Sequence, residues 1–181
     1  MSKPFFPTLL VDGAPVNFDH LEPFQFVMET QTRPKGAKIN VRFSNHCFSE
    51  SYDAALHPEP VIDVWDRGQR RVFNQGRYNL SFGLRDIIEG LPNAHVYHTP
   101  EANFVRIVPP GGNGDSEYRV YFNAKRGGGR GECDVSLFVE SAYSPDFGKQ
   151  VLKPAQMTKV RFAILVDKTI RGEKLRFQYK R

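Results

Sequence analysis

Apolar and polar residues alternate along much of the chain, most regularly on the two sides of a glycine-rich segment. Residues 118–123 place an apolar side chain at every second position, and residues 135–140 repeat this period after the glycines at 127–129. Period-two alternation on both sides of a glycine cluster is typical of a β-hairpin. Because Tyr121 and Phe138 give the second face apolar character too, the pattern predicts an inner position for this hairpin in its sheet.

The same period predicts further short strands before and after this central hairpin. They fall at 24–29, 38–50, 61–65, 70–73, 94–99, 103–108, 159–167 and 174–179, and the last two form a predicted C-terminal hairpin. One segment instead shows helical spacing, with apolar residues from Leu80 to Leu91 and with Gly90 and Pro92 as stop signals. The sequence therefore predicts nine or ten strands and one main helix at about 80–91.

Strands and helices do not alternate in this prediction as crossover connections would require, so the predicted class is α+β and mainly antiparallel β. We expect a single strongly twisted sheet or a partly closed barrel. A chain of 181 residues fits one domain, 1–181, that can bury roughly 70% of its unfolded surface.

Charge and cysteine content indicate the kind of partner and the cellular compartment of the protein. The net charge is +5, and the excess of basic residues lies in the last part of the chain, where it suits RNA or another polyanion. Cys47 and Cys133 are predicted to be reduced, packed thiols. No apolar run approaches the ~18–20 residues of a membrane span, so we expect a soluble, cytoplasmic protein without a membrane partner.

The sequence lacks the common motifs for nucleotide, zinc or serine-nucleophile chemistry: it has no GxxxxGK[ST], HExxH, CxxC or GxSxG. A mixed metal site from His46, Cys47, His95, His98 and Cys133 is disfavoured, because adjacent residues of a strand point to opposite faces. We therefore predict no metal and no cofactor.

A set of histidine, arginine and hydroxyl side chains instead suits metal-independent RNA cleavage. This reaction needs a base for the 2′-hydroxyl proton, an acid for the leaving oxygen and fixed positive charge near the phosphate. The candidate catalytic residues are His46, Arg77, Ser141 and Tyr143, and the candidate nucleic-acid-binding residues are Arg42, Arg106, Lys125, Arg126 and Arg130. The alternative is structural: His46, Ser141 and Tyr143 would then close strands and loops, and Arg77 and Arg106 would pair with Asp63, Asp86 or Glu140.

The order of three segments within residues 77–143, which are SFGLRDIIEGL, NFVRIV and FVESAY, resembles small bacterial ribonuclease toxins of the barnase, EndoU, colicin and RelE-like group. This resemblance implies a site lined by Arg77, Arg106, Ser141 and Tyr143. The segments RFSNHCFSESYD and RRVFNQGRYNLS resemble other bacterial proteins of similar length, a likeness that implies no activity.

Two functions follow as predictions. The first is an RNA-directed protein, a metal-independent ribonuclease of toxin type with His46 as general acid or base. The second is a non-catalytic binding or assembly module of a bacterial or mobile-element system, which associates with a protein partner or with its own copies through sheet edges. A curled, aromatic-rich sheet with a small-molecule pocket is a third option.

Overall fold

The computed structural model describes residues 3–109, 117–128, 132–145 and 152–175. The strands of these residues are β1 (Leu9–Val11), β2 (Ala14–Val16), β3 (Phe24–Met28), β4 (Ala37–Phe43), β5 (Ser49–Ser51), β6 (Asp63–Asp66), β7 (Gln69–Phe73), β8 (His95–His98), β9 (Phe104–Val108), β10 (Tyr118–Arg126), β11 (Val135–Tyr143) and β12 (Thr158–Arg161). The α-helices are α1 (Gln75–Ser81), α2 (Leu84–Glu89) and α3 (Phe162–Arg171), and short 3₁₀ helices lie at Asp19–Leu21, Asn45–Cys47, Leu91–Asn93 and Pro154–Gln156.

The largest sheet has seven strands in the order β12-β8-β9-β10-β11-β4-β3. All neighbours in it are antiparallel except β11 and β4, which run parallel. The predicted class, α+β with mainly antiparallel strands, is confirmed. The central hairpin of β10 and β11 is also confirmed as an inner pair, and over the described residues the sheet stays open, with β12 and β3 at its edges.

One face of this sheet forms the core. Val135, Leu137 and Val139 of β11 are fully buried, as the alternation predicts. On the next strand, Phe122 meets Phe162 of α3 edge to face, with ring centroids 6.1 Å apart. Burying a side chain of this size contributes about 1.5–3 kcal/mol, so this face supplies much of the stability that holds the other face in place.

A three-stranded sheet, in the order β5-β7-β6, lies beside the end of the large one. Its β6–β7 turn places Arg67 and Gly68 at positive φ angles of 48° and 83°. Two consecutive positive φ values suit the tight hairpin turns that match the twist of paired strands. This turn joins the strands predicted at 61–65 and 70–73, and it brings Asp66 to the tip of the hairpin.

The predicted C-terminal hairpin is wrong. Residues 158–161 do form a strand, but the chain then turns into α3, and the structure describes no strand after it up to residue 175. The physical reason is the spacing of Phe162, Leu165, Val166 and Ile170, which are all buried and share one helical face. Residues 176–179 of the predicted second strand lie outside the described residues.

The predicted helix at 80–91 is divided and begins earlier. The side chain of Asn74 accepts a hydrogen bond from the backbone N–H of Arg77 at 2.8 Å and caps α1 at its start. The chain then continues through α2 to the 3₁₀ helix at 91–93. None of the described helices has both the length and the apolar character that crossing a bilayer requires.

Candidate functional site

A cleft of about 370 Å³ opens where β11 approaches its end. Three parts of the chain line it: the 3₁₀ helix after β4, the β6–β7 turn and β11 itself. The lining residues are Ser44, His46, Asp66, Arg67, Phe138, Glu140 and Ser141. Two of the predicted catalytic residues, His46 and Ser141, thus lie in one cleft although they are 95 positions apart in sequence.

A β-bulge at Glu140 creates the wall that β11 contributes. Tyr121 pairs with Ser141 and Phe122 pairs with Val139, so Glu140 is an extra residue in the ladder. In a regular strand residues two positions apart share a face, so a β11 of the same sequence without a bulge would place Ser141 on the buried face of Val139. The bulge instead turns Ser141 to the same face as Phe138 and Glu140, and a bulge that re-aims side chains is common beside functional sites.

His46 is held by a carboxylate. Its Nε2 lies 2.8 Å from Oδ2 of Asp66, which also lines the cleft. Burial, followed by the nearby charge of Arg71, lowers the pKa of His46 below 6.5, and the hydrogen bond to Asp66 opposes this shift. At neutral pH the imidazole is therefore mostly uncharged, which is the form that can accept a proton.

Arg77 lies behind the cleft rather than in it. The residue is only 2% exposed. Its Nη1 donates to the backbone carbonyl of His46 at 3.1 Å and to that of Ser49 at 2.9 Å. Burial lowers the pKa of Arg77, and its Nε and Nη2 have no hydrogen-bond partner among the described residues. In this position the guanidinium supports the 3₁₀ helix that carries His46.

Tyr143 joins this group from the other side. Its ring centroid is 5.2 Å from Cζ of Arg77, and the ring stacks on Tyr121 with centroids 5.5 Å apart. Burial, helped by the hydrogen bond to the Tyr121 hydroxyl at 3.4 Å, raises the pKa of Tyr143. The phenol therefore stays protonated at neutral pH and can donate a hydrogen bond.

Beside the cleft, the large sheet has a face that we call the open face. Cross-strand partners share a face, so the register assigns to it Arg42, Phe138 and Asn123 in one row across β4, β11 and β10. Asn40, Ser136 and Lys125 form the next row. All six side chains are half-buried or exposed, and two of the predicted binding residues, Arg42 and Lys125, are among them.

The other predicted cations do not join His46. Arg126 is exposed at the far end of β10, opposite Val135. Arg106 donates from Nη1 to the carbonyl of His95 at 3.3 Å and lines a separate cleft with Lys159. Arg130 lies outside the described residues.

A model of the YjaZ family matches residues 8–170 of the sequence. The chain belongs to the YjaZ family. Comparison with curated proteins and with solved structures finds no match. The YjaZ match spans every residue that lines the cleft, but it carries no activity with it, so the ribonuclease-toxin resemblance stays a prediction.

Five cleft residues of this YjaZ-family protein are not among the site residues predicted from the sequence: Ser44, Asp66, Arg67, Phe138 and Glu140. The segment Asp66–Gln69 carried a turn signal but nothing that linked it to His46. Over the described residues, no group of three or more His, Cys, Asp or Glu side chains is arranged to hold a metal ion.

Proposed function

We propose that this YjaZ-family protein is RNA-directed: it binds single-stranded RNA along the open face and cleaves it without a metal in the cleft beside His46. The observation that carries the proposal is the Glu140 bulge. It makes the cleft continuous with the open face, because Ser141 and Phe138 belong to both. A chain lying on the sheet would pass within reach of a neutral histidine.

The open face has the two properties that single-stranded nucleic acid requires. Phe138 and the stacked pair of Tyr121 and Tyr143 offer aromatic rings, on which bases can stack for about 1–3 kcal/mol each. Arg42 and Lys125 are exposed on the same face and can contact phosphates. Aromatic rings interspersed with cations on a sheet are typical of surfaces that bind unpaired bases.

The cleft supplies groups for cleavage of the RNA backbone. His46 takes the proton of a 2′-hydroxyl, and the 2′-oxygen then attacks phosphorus. The bond from phosphorus to the 5′-oxygen breaks, water donates the proton that this oxygen needs, and a 2′,3′-cyclic phosphate is left. Arg67, together with Arg42 beside Phe138, faces the developing charge, while Ser141 and Tyr143 position the phosphate.

Such a toxin-like ribonuclease would act in the cytoplasm and would need no cofactor. The two cysteines support the compartment, since both are free thiols and Cys47 is buried.

The test uses labelled single-stranded RNA with purified protein in excess EDTA. Binding is followed by fluorescence anisotropy and cleavage by gel electrophoresis. We expect both in the native protein, and His46→Ala should bind RNA but cleave at least ~100-fold more slowly. His95→Ala is the matched control, because His95 is exposed and lines the other cleft. Native protein that neither binds nor cleaves RNA would overturn the proposal.

One observation favours the second candidate, an assembly module that self-associates. Trp65, the single tryptophan, is 61% exposed on β6, which is an edge strand of its sheet. Exposed edge strands are natural pairing sites. Sedimentation velocity over a hundredfold concentration range should then show a dimer that Trp65→Ser weakens, whereas a monomer throughout argues against this candidate.

A further inference from the structure

Glu140, the bulge residue of β11, is an acidic side chain on the open face, and it lies where a polyanion would least favour it. It lines the cleft between Phe138 and Ser141. Within the described part of the chain it forms no salt bridge. Its two oxygens instead accept amide hydrogen bonds, Oε2 from Nδ2 of Asn103 at 3.1 Å and Oε1 from Nδ2 of Asn123 at 2.5 Å.

This arrangement fixes the carboxylate and leaves it able to accept more. Each carboxylate oxygen offers about two acceptor positions, and one amide occupies one of them. Asn103 lies immediately before β9 and Asn123 lies on β10, and they bind different oxygens, so they fix the plane of the group as well as its position. What remains is a pair of acceptors on a cleft wall, next to an aromatic ring.

A carboxylate repels phosphate, so in an RNA site it must face the donors of a base. The Watson–Crick edges of the bases differ in this respect. Guanine presents two adjacent donors, N1–H and the N2 amino group, which match two carboxylate oxygens. Adenine and cytosine present one amino group beside an acceptor nitrogen, and uracil presents one N–H between two carbonyls.

We propose that Glu140 selects guanine, which stacks on Phe138 and donates N1–H and N2–H to the two carboxylate oxygens. This inference rests on the proposed function and names the base that the cleft takes. A bidentate pair of hydrogen bonds of this kind raises the affinity for the matching base about tenfold or more over that for another base. The neighbouring His46 would then act at the phosphate beside a guanosine.

The test compares labelled oligouridines that carry one central guanine, inosine or adenine and 2′-O-methyl groups that block cleavage, with binding measured by fluorescence anisotropy in EDTA. Inosine lacks only the N2 amino group of guanine. We expect the native protein to bind the guanine oligonucleotide about tenfold more tightly than the other two. Glu140→Gln, which has nearly the same shape but presents one acceptor oxygen beside a donor amide, should lose the preference for guanine. Glu101→Gln removes the same charge from an exposed turn and should keep the preference.

Three results would overturn the inference. Equal affinity of the native protein for the three oligonucleotides would do so and leave RNA binding intact. Tighter binding of all three by Glu140→Gln, with no native preference, would show that Glu140 only repels the backbone. No binding of any oligonucleotide would overturn this inference together with the proposed function.

Discussion

Arg71 and Arg77 donate to the same acceptor, the backbone carbonyl oxygen of Ser49, at 2.8 and 2.9 Å. Both guanidinium groups are buried, and Arg77 also binds the carbonyl of His46. Two like charges can share this oxygen because a carbonyl oxygen has two lone pairs, and each guanidinium occupies one of them. The pair fixes the 3₁₀ helix at 45–47, and the charge of Arg71 also helps to lower the pKa of His46.

Replacing Arg77 should therefore destabilise the whole protein. Arg77→Ala removes two charge-assisted hydrogen bonds and leaves two carbonyls without this donor, so we expect a loss of about 3 kcal/mol in the free energy of unfolding. Urea denaturation measures it. Arg85→Ala is the control, since the Arg85–Glu89 pair is exposed and should cost under about 1 kcal/mol. Equal costs for the two variants would contradict the structural role of Arg77.

Elements whose apolar residues fit only one period, that of a strand or that of a helix, can be predicted from the sequence. The prediction fails where the apolar residues fit both periods. Residues 118–123 and 135–140 alternate with period two, so the central hairpin could be predicted. In 162–170 the apolar residues suit a strand at first sight, because β-branched and aromatic residues are frequent there, yet their spacing buries one helical face.

The candidate site was only half predictable for a different reason. His46 and Ser141 have the residue types for the chemistry, whereas Asp66 becomes important only because a hairpin tip happens to meet the 3₁₀ helix. The bulge at Glu140 is an insertion in a ladder, and a single strand gives no sign of it. Arg77 has the right chemistry for phosphate binding, but its burial is a tertiary property.

Deleting Glu140 should lower the free energy of unfolding less than deleting Ala142 does. Without Glu140 the ladder becomes regular and Ser141, Ala142 and Tyr143 keep their present faces, so we expect a cost of about 1 kcal/mol. Deleting Ala142 would instead turn Tyr143 into the core and should cost at least about 3 kcal/mol. Chemical denaturation of the two deletion variants decides this, and an equal cost would show that the bulge does not set the facing of these residues.

Stability should fall as the pH drops below 6.5. Burial lowers the pKa of His20, His46 and His98, so the folded chain binds their protons less readily than the unfolded chain. The contribution of these histidines to the free energy of unfolding is complete above their pKa of about 6.5 in the unfolded chain. It is lost as the pH falls towards their lower pKa values in the folded chain. Urea denaturation at pH 7.5 and 5.5 should show this loss, and His46→Gln should reduce it. An unchanged difference in the variant would mean that His46 does not contribute.

The two thiols should react at very different rates. Burial raises the pKa of the Cys47 thiol to about 12, so almost no thiolate forms near neutral pH. Cys133 is only half-buried. A thiol reagent such as Ellman's reagent should therefore label one cysteine per native chain within minutes and two in urea, with Cys133→Ser abolishing the fast reaction. Rapid labelling of Cys47 in the native protein would contradict its burial.

The salt dependence of RNA affinity separates local phosphate contacts from the general attraction of a basic protein. Each phosphate contact on a single strand adds about 0.7 to the slope of log affinity against log salt, through counterion release. Arg42→Ala removes a charge from the open face and should reduce the slope by about this amount. Arg106→Ala removes the same charge from the separate cleft with His95 and Lys159, so its slope should match that of the native protein. The two variants have equal net charge, and long-range attraction therefore affects them equally.

A difference between their slopes, measured by anisotropy at several salt concentrations, assigns the RNA to the open face. Equal reductions would show that RNA responds only to the net charge of +5 and not to this surface.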